Sequence, residues 1–101
     1  MSSYVLSAAA EADLREIIRY TRRQWGDAQV RNYVLQLEAG IESLVAGDGA
    51  FRDLSDIHPS LRMAKCQHHY VFCLPRDQGP ALIIAILHER MDFLVRLAGR
   101  L

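Results

Sequence analysis

The chain has 101 residues, half of them hydrophobic, and its twelve basic side chains balance twelve acidic ones. That length makes a single domain, residues 1–101, burying about 65% of its unfolded surface; such an apolar fraction with no net charge excludes a disordered chain. The balance also excludes a protein that coats nucleic-acid phosphates by bulk charge. The longest apolar run, Ala81 to Leu87, falls far short of the ~20 residues a membrane helix needs. The opening MSSYVLSAAAEADL has neither a basic start nor a long apolar stretch, so no secretion signal is read and a cytoplasmic location is expected.

Ser3 to Leu6 is short, apolar and β-prone, and predicts a strand. Ser7 can cap a following helix, with Glu11 in its favourable first turn. Leu14, Ile17, Ile18, Thr21 and Trp25 then recur at helical spacing and make one face. Gly26 stops that helix and Asp27 is expected to cap the next. In the second helix Val30, Tyr33, Val34, Leu37, Ile41, Leu44 and Val45 keep a 3.6-residue period until Gly47. With so short a link, the two helices should form an antiparallel hairpin.

Residues 48–60 read as a loop. Leu61 to Cys66 and His69 to Leu74 read as strands, with a turn at Pro75 to Pro80. Ala81 to His88 is almost wholly apolar and predicts a central strand. A short helix carrying Phe93, Leu94 and Leu97 is expected after Asp92. The order β-α-α-β-β-β-α predicts an α+β fold: an antiparallel four-stranded sheet, a packed N-terminal helical hairpin and a short C-terminal helix. The segment from Asp92 offers few large apolar groups, so it is expected to be dispensable for folding.

Several chemistries can be weighed on the residues. Cys66, His68, His69 and Cys73 lie close together, but six residues separate the cysteines along strand-like sequence. Paired zinc ligands need shorter spacings, so free structural thiols are the better reading and no metal is expected. No nucleophile elbow or glycine-rich phosphate loop is present, and nothing places Cys66 or Cys73 beside His88 as a nucleophile–base pair. A general acid–base nuclease could draw on Arg62, Lys65, His69, Tyr70, His88 and Arg90. Arg62 and Lys65 also read as solvated edge residues, and His69 and His88 as caps of strand ends. Arg90 to Leu101 mixes Arg96 and Arg100 with Leu94 and Leu97, which suits either a partner-binding helix or one packed on its own domain.

Four segments carry a resemblance: YVLSAAAEADLREIIRYTRRQWG, the pair Leu61–Arg62, HHYVFCLPR and ILHERMD. Together they closely resemble ParE toxins, the toxin half of ParD/ParE toxin–antitoxin modules in the RelE/ParE superfamily. The likeness runs from Tyr4 to about Leu97 and is strongest to members of broad-host-range plasmids, where such modules serve plasmid stabilisation. It implies a toxin without a catalytic site or cofactor that binds DNA gyrase, traps it on cleaved DNA and is neutralised by a ParD-like antitoxin. Gyrase contacts are then expected at Arg90, Leu94, Arg96, Leu97 and Arg100, and antitoxin contacts at Arg62, His69, Tyr70 and Arg90. Direct sequence-specific nucleic-acid binding is not implied, and a homodimer is left open.

The superfamily also holds ribosome-dependent messenger RNA endoribonucleases of RelE type. Arg90 resembles one of their arginines, but the segment after it has Phe93 and no Tyr or His where those enzymes carry a proton-transfer group. The departure favours the gyrase branch.

Overall fold

A computed structural model describes residues 3–101. The elements in chain order are β1 (Tyr4–Leu6), α1 (Ala8–Trp25), α2 (Asp27–Ala46), β2 (Arg52–Asp53), β3 (Arg62–Cys66), β4 (His69–Leu74), β5 (Ala81–His88) and α3 (Phe93–Ala98). The sheet is five-stranded and mixed, in the order β1-β5-β4-β3-β2. Two features depart from the antiparallel four-stranded expectation. β1 runs parallel to β5, pairing Tyr4 with Ala81 and Leu6 with Ile83. β2, inside the stretch read as loop, pairs Arg52 with Met63.

The helices begin and end where local chemistry dictates. Ser7 Oγ accepts from Ala10 N–H at 3.0 Å, satisfying an orphan donor of α1. Gly26 at φ 86° turns the chain between the helices and caps both, so Asp27 opens α2 instead of capping it. The Asp27 carboxylate accepts from Arg22 Nε at 2.9 Å. Gly47 ends α2 in the left-handed region, φ 77°. Trp25 lies at the tip of the hairpin, beyond the sheet, and is 71% exposed rather than packed with the α1 face.

One sheet face is covered by the hairpin. Ala10, Ile17, Leu37, Ile41 and Leu44 meet Cys66, Val71, Cys73, Ile83 and Ile86 there. A Cβ at Gly40 would land on Cys66 Sγ, so α2 sits close on β3 because that position lacks a side chain. The other face packs Met63, Phe72, Ile84, Ala85 and Leu87 under Leu54, Leu61 and Leu97. A bulge joins the two patterns: Cys73 faces Ile83 and Phe72 faces Ala85, leaving Ile84 as the extra residue. Beyond it the alternation shifts by one, which is why the apolar run has no simple period of two.

The expectation that the segment from Asp92 is dispensable does not fit this packing. Leu97 is 1% exposed within the second core. Arg100 Nη1 and Nη2 reach Asp13 at 2.5 and 2.9 Å, and Nη1 also reaches Ile84 O at 3.0 Å. Asp13 accepts from Ile86 N–H at 2.9 Å as well. β1 covers β5 only as far as Ile83, so this Asp13–Arg100 pair closes the open edge that follows.

Candidate functional site

β5 ends at His88, and a turn carries the chain to α3. Met91 N–H donates to His88 O at 2.9 Å, and Arg90 N–H donates to His88 Nδ1 at 3.1 Å. This turn leaves the Arg90 side chain exposed, with no ion pair among the described residues. α3 then divides its own side chains. Phe93 packs on Phe72 and Tyr70 (ring centroids 5.4 and 6.1 Å apart) while Leu97 fills the core. Leu94 and Val95 are 56% and 68% exposed, and Met91, Leu101 and the unpaired Arg96 lie on the exposed surface with them.

Of the five residues expected at a gyrase contact, Arg90, Leu94 and Arg96 therefore present free side chains. Leu97 does not, because it is core. Arg100 does not, because both of its terminal guanidinium nitrogens are bound within the chain, an arrangement that holds it charged. The exposed ridge instead includes Met91 and Val95, which sequence reasoning did not single out. Their signal was available: a six-residue helix can bury only one of its faces.

The residues expected to meet an antitoxin are spread apart. Arg62 pairs across the hairpin with Cys73, while Tyr70 and His69 lie at its other end. His69 faces the helical hairpin, where its Nδ1 is hydrogen-bonded to the Tyr33 hydroxyl. Tyr70, its neighbour, faces α3 by strand alternation. Arg62 Nη1 donates to Leu44 O at 3.1 Å and to Val45 O at 3.4 Å, and its guanidinium lies 4.9 Å from the Phe51 ring centre. It thus completes the C-terminus of α2, a favoured place for a cation. A polar hollow beside it includes Arg76, Asp53 and Asp77. Arg76 Nε donates to Pro80 O at 2.7 Å.

The same alternation splits the nuclease set. Lys65 and Tyr70 share the α3 face, and Lys65 pairs with Glu89 at 2.8 Å. That contact raises the ammonium pKa and lowers the carboxyl's, so neither is poised for proton transfer near neutral pH. His69 and His88 lie opposite each other on the hairpin face, ring centroids 5.2 Å apart. Burial, with His88 and His68 beside it, pushes His69 down to about 4. Burial also raises the Tyr33 hydroxyl. Among the described residues no three His, Cys, Asp or Glu groups converge to hold a metal ion. The tight turn at Gln67 and His68 pairs Cys66 with His69 and Cys73 with Arg62, which puts the thiols at opposite ends of the β3–β4 hairpin. Both are buried and free. Burial pushes the Cys73 thiol up to about 11, so it is not a poised nucleophile.

The comparisons with known proteins agree with one another. The family model described as the ParE toxin of type II toxin-antitoxin system, parDE, matches residues 4–93. A protein named Toxin ParE from Escherichia coli is 65% identical over 101 residues, covering 100% of this chain and 98% of its own. Toxin ParE1 of Mycobacterium tuberculosis is 33% identical over 91 residues, covering 90% of this chain and 93% of its own. A solved structure described as a chromosomal ParDE TA system from P. aeruginosa shares the fold, with a TM-score of 0.67 at 20% identity. It covers 87% of this chain and 96% of that one.

Proposed function

This chain belongs to the ParE toxin family of type II toxin–antitoxin systems, and from that we propose that it acts by binding DNA gyrase and holding it on cleaved DNA. In this reading it has no catalytic site of its own, works in the cytoplasm and is silenced by a ParD-like antitoxin. The observation that carries the reading is the 65% identity to a Toxin ParE along the whole chain. The ridge supports it. Arg90 and Arg96 are unpaired cations beside exposed Met91, Leu94 and Val95, a mixture suited to an acidic and apolar protein surface. A basic, solvated nuclease pocket is not assembled, because His69 and Tyr70 lie on opposite faces and Lys65 is tied to Glu89.

The test is purified protein added to gyrase supercoiling reactions and, in parallel, to translating ribosomes. Supercoiling should fall while messenger RNA stays intact. Codon-specific cleavage on ribosomes with gyrase unaffected would overturn the proposal in favour of the RelE-type endoribonuclease.

A further inference from the structure

A second feature adjoins the ridge at Met91. Between the tip of the helical hairpin and the ends of β4 and β5 runs a groove of about 390 Å³, with Trp25, Tyr20 and Gln29 on its walls and His69 and His88 at its floor. Its size is within the range of small-molecule sites, roughly 300–1,000 Å³. Tyr20 is 58% exposed, and Trp25 more so. Two large aromatic rings at one mouth are costly to leave in water and are stacking surfaces for a flat ligand.

The floor has a defined polarity. Nδ1 of His88 accepts from Arg90 N–H, and Nδ1 of His69 is hydrogen-bonded to the Tyr33 hydroxyl. The Nε2 of His88 therefore carries a hydrogen, and so does that of His69 with the Tyr33 hydroxyl as donor. Neither Nε2 has a partner among the described residues, and no side-chain nitrogen or oxygen there is both buried and unbonded. Both therefore open to solvent as donors. The lining includes no Lys or Arg, and its one carboxylate, Glu16, pairs with Arg19. A phosphate would find no cation to neutralise it. Two Nε2 donors call for ring nitrogen or carbonyl acceptors, and the Gln29 amide can meet either kind of group. A bare base would leave much of the volume empty.

We propose that this groove binds an uncharged heteroaromatic molecule of nucleoside size, stacked on Trp25 and Tyr20 and accepting from His69 and His88. Burial keeps His69 neutral down to about pH 4. The groove adjoins the ridge at Met91, and its test, nucleoside binding, does not depend on the gyrase reading.

The probes are guanosine and inosine, whose adjacent ring-nitrogen and carbonyl acceptors suit the floor, with guanosine monophosphate as the charged control. Trp25 is the chain's single tryptophan, so its fluorescence reports the groove directly. The nucleosides should quench it saturably. The monophosphate should bind about tenfold more weakly, as should the variants Trp25→Ala and His88→Phe measured by calorimetry with unchanged circular dichroism. Any of three results overturns the proposal: no saturable quenching to millimolar nucleoside in folded protein, tighter binding of the monophosphate, or full affinity in both variants. Hydrogen-exchange protection of the groove by a protein partner alone, with no nucleoside effect, would also overturn it and mark a protein docking surface.

Discussion

The two faces of the sheet are covered by very different means. Over one lie α1 and α2, helices of 18 and 20 residues. Over the other lie a six-residue helix and the Leu54–Leu61 loop. A helix that short has no stability of its own in water. It stays in place because Phe93 and Leu97 enter the core and Arg100 reaches around the β5 edge to Asp13. The hairpin face thus rests on area, and the α3 face on a few side chains. The same short helix turns its outer side chains, Leu94, Val95 and Arg96, to solvent. The residues that dock this helix are therefore not the ones it presents to solvent.

The comparison breaks first under truncation after Asp92. That removes Phe93, Leu97 and Arg100 together and uncovers Phe72 and Ile84. The truncated chain should lose its cooperative thermal transition, whereas a chain dependent only on the hairpin face would keep it. Leu97→Ala is the next largest change, costing about 3 kcal/mol in urea unfolding as a buried cavity forms. Leu94→Ala, one turn away and exposed, should cost less than about 0.5 kcal/mol.

Which of these residues would be structural was only partly legible in the sequence. The period of α2, its Gly47 stop and the Ser7 cap are local signals, and each lies where it was read. The parallel partner of β1 was not legible, because three residues carry no register of their own and their pairing is set by the fold. β2 was hidden among turn-forming residues, and the Ile84 bulge inside a run with no polar residue to mark the shift. The divergence of His69 and Tyr70 was available from strand alternation alone. Asp13 also left a trace, since it lies four residues before buried Ile17, on the helical face expected to be apolar. Its partner is 87 residues away, and nothing local could reveal that.

Arg100→Ala sharpens the comparison further. It leaves the half-buried Asp13 carboxylate without its cation and Ile84 O without that donor. We expect a loss of about 1–2 kcal/mol and faster hydrogen exchange in α3, with the hairpin face unchanged. Equal exchange rates in both regions would show that the pair does not hold the helix.

The smallest expected effect is a pH dependence on the hairpin face. His69 titrates near 4 in the folded chain, against 6.5 for the free side chain. The unfolded chain therefore binds more protons between those values, and stability falls as pH is lowered through that window. Partial exposure holds the effect to the order of 1 kcal/mol. His69→Phe should flatten that part of the stability–pH curve, and an unchanged curve would assign the slope to other groups.

The most direct measurement of the central claim is gyrase supercoiling with wild-type protein and Arg96→Glu, each preparation first matched by thermal unfolding. Arg96 is exposed, unpaired and outside the core, so the variant should unfold at the wild-type temperature. The account predicts inhibition by the wild-type chain and its loss in the folded variant. Equal inhibition by both would contradict the assignment of the ridge, and no inhibition by the folded wild-type chain would contradict the gyrase reading itself.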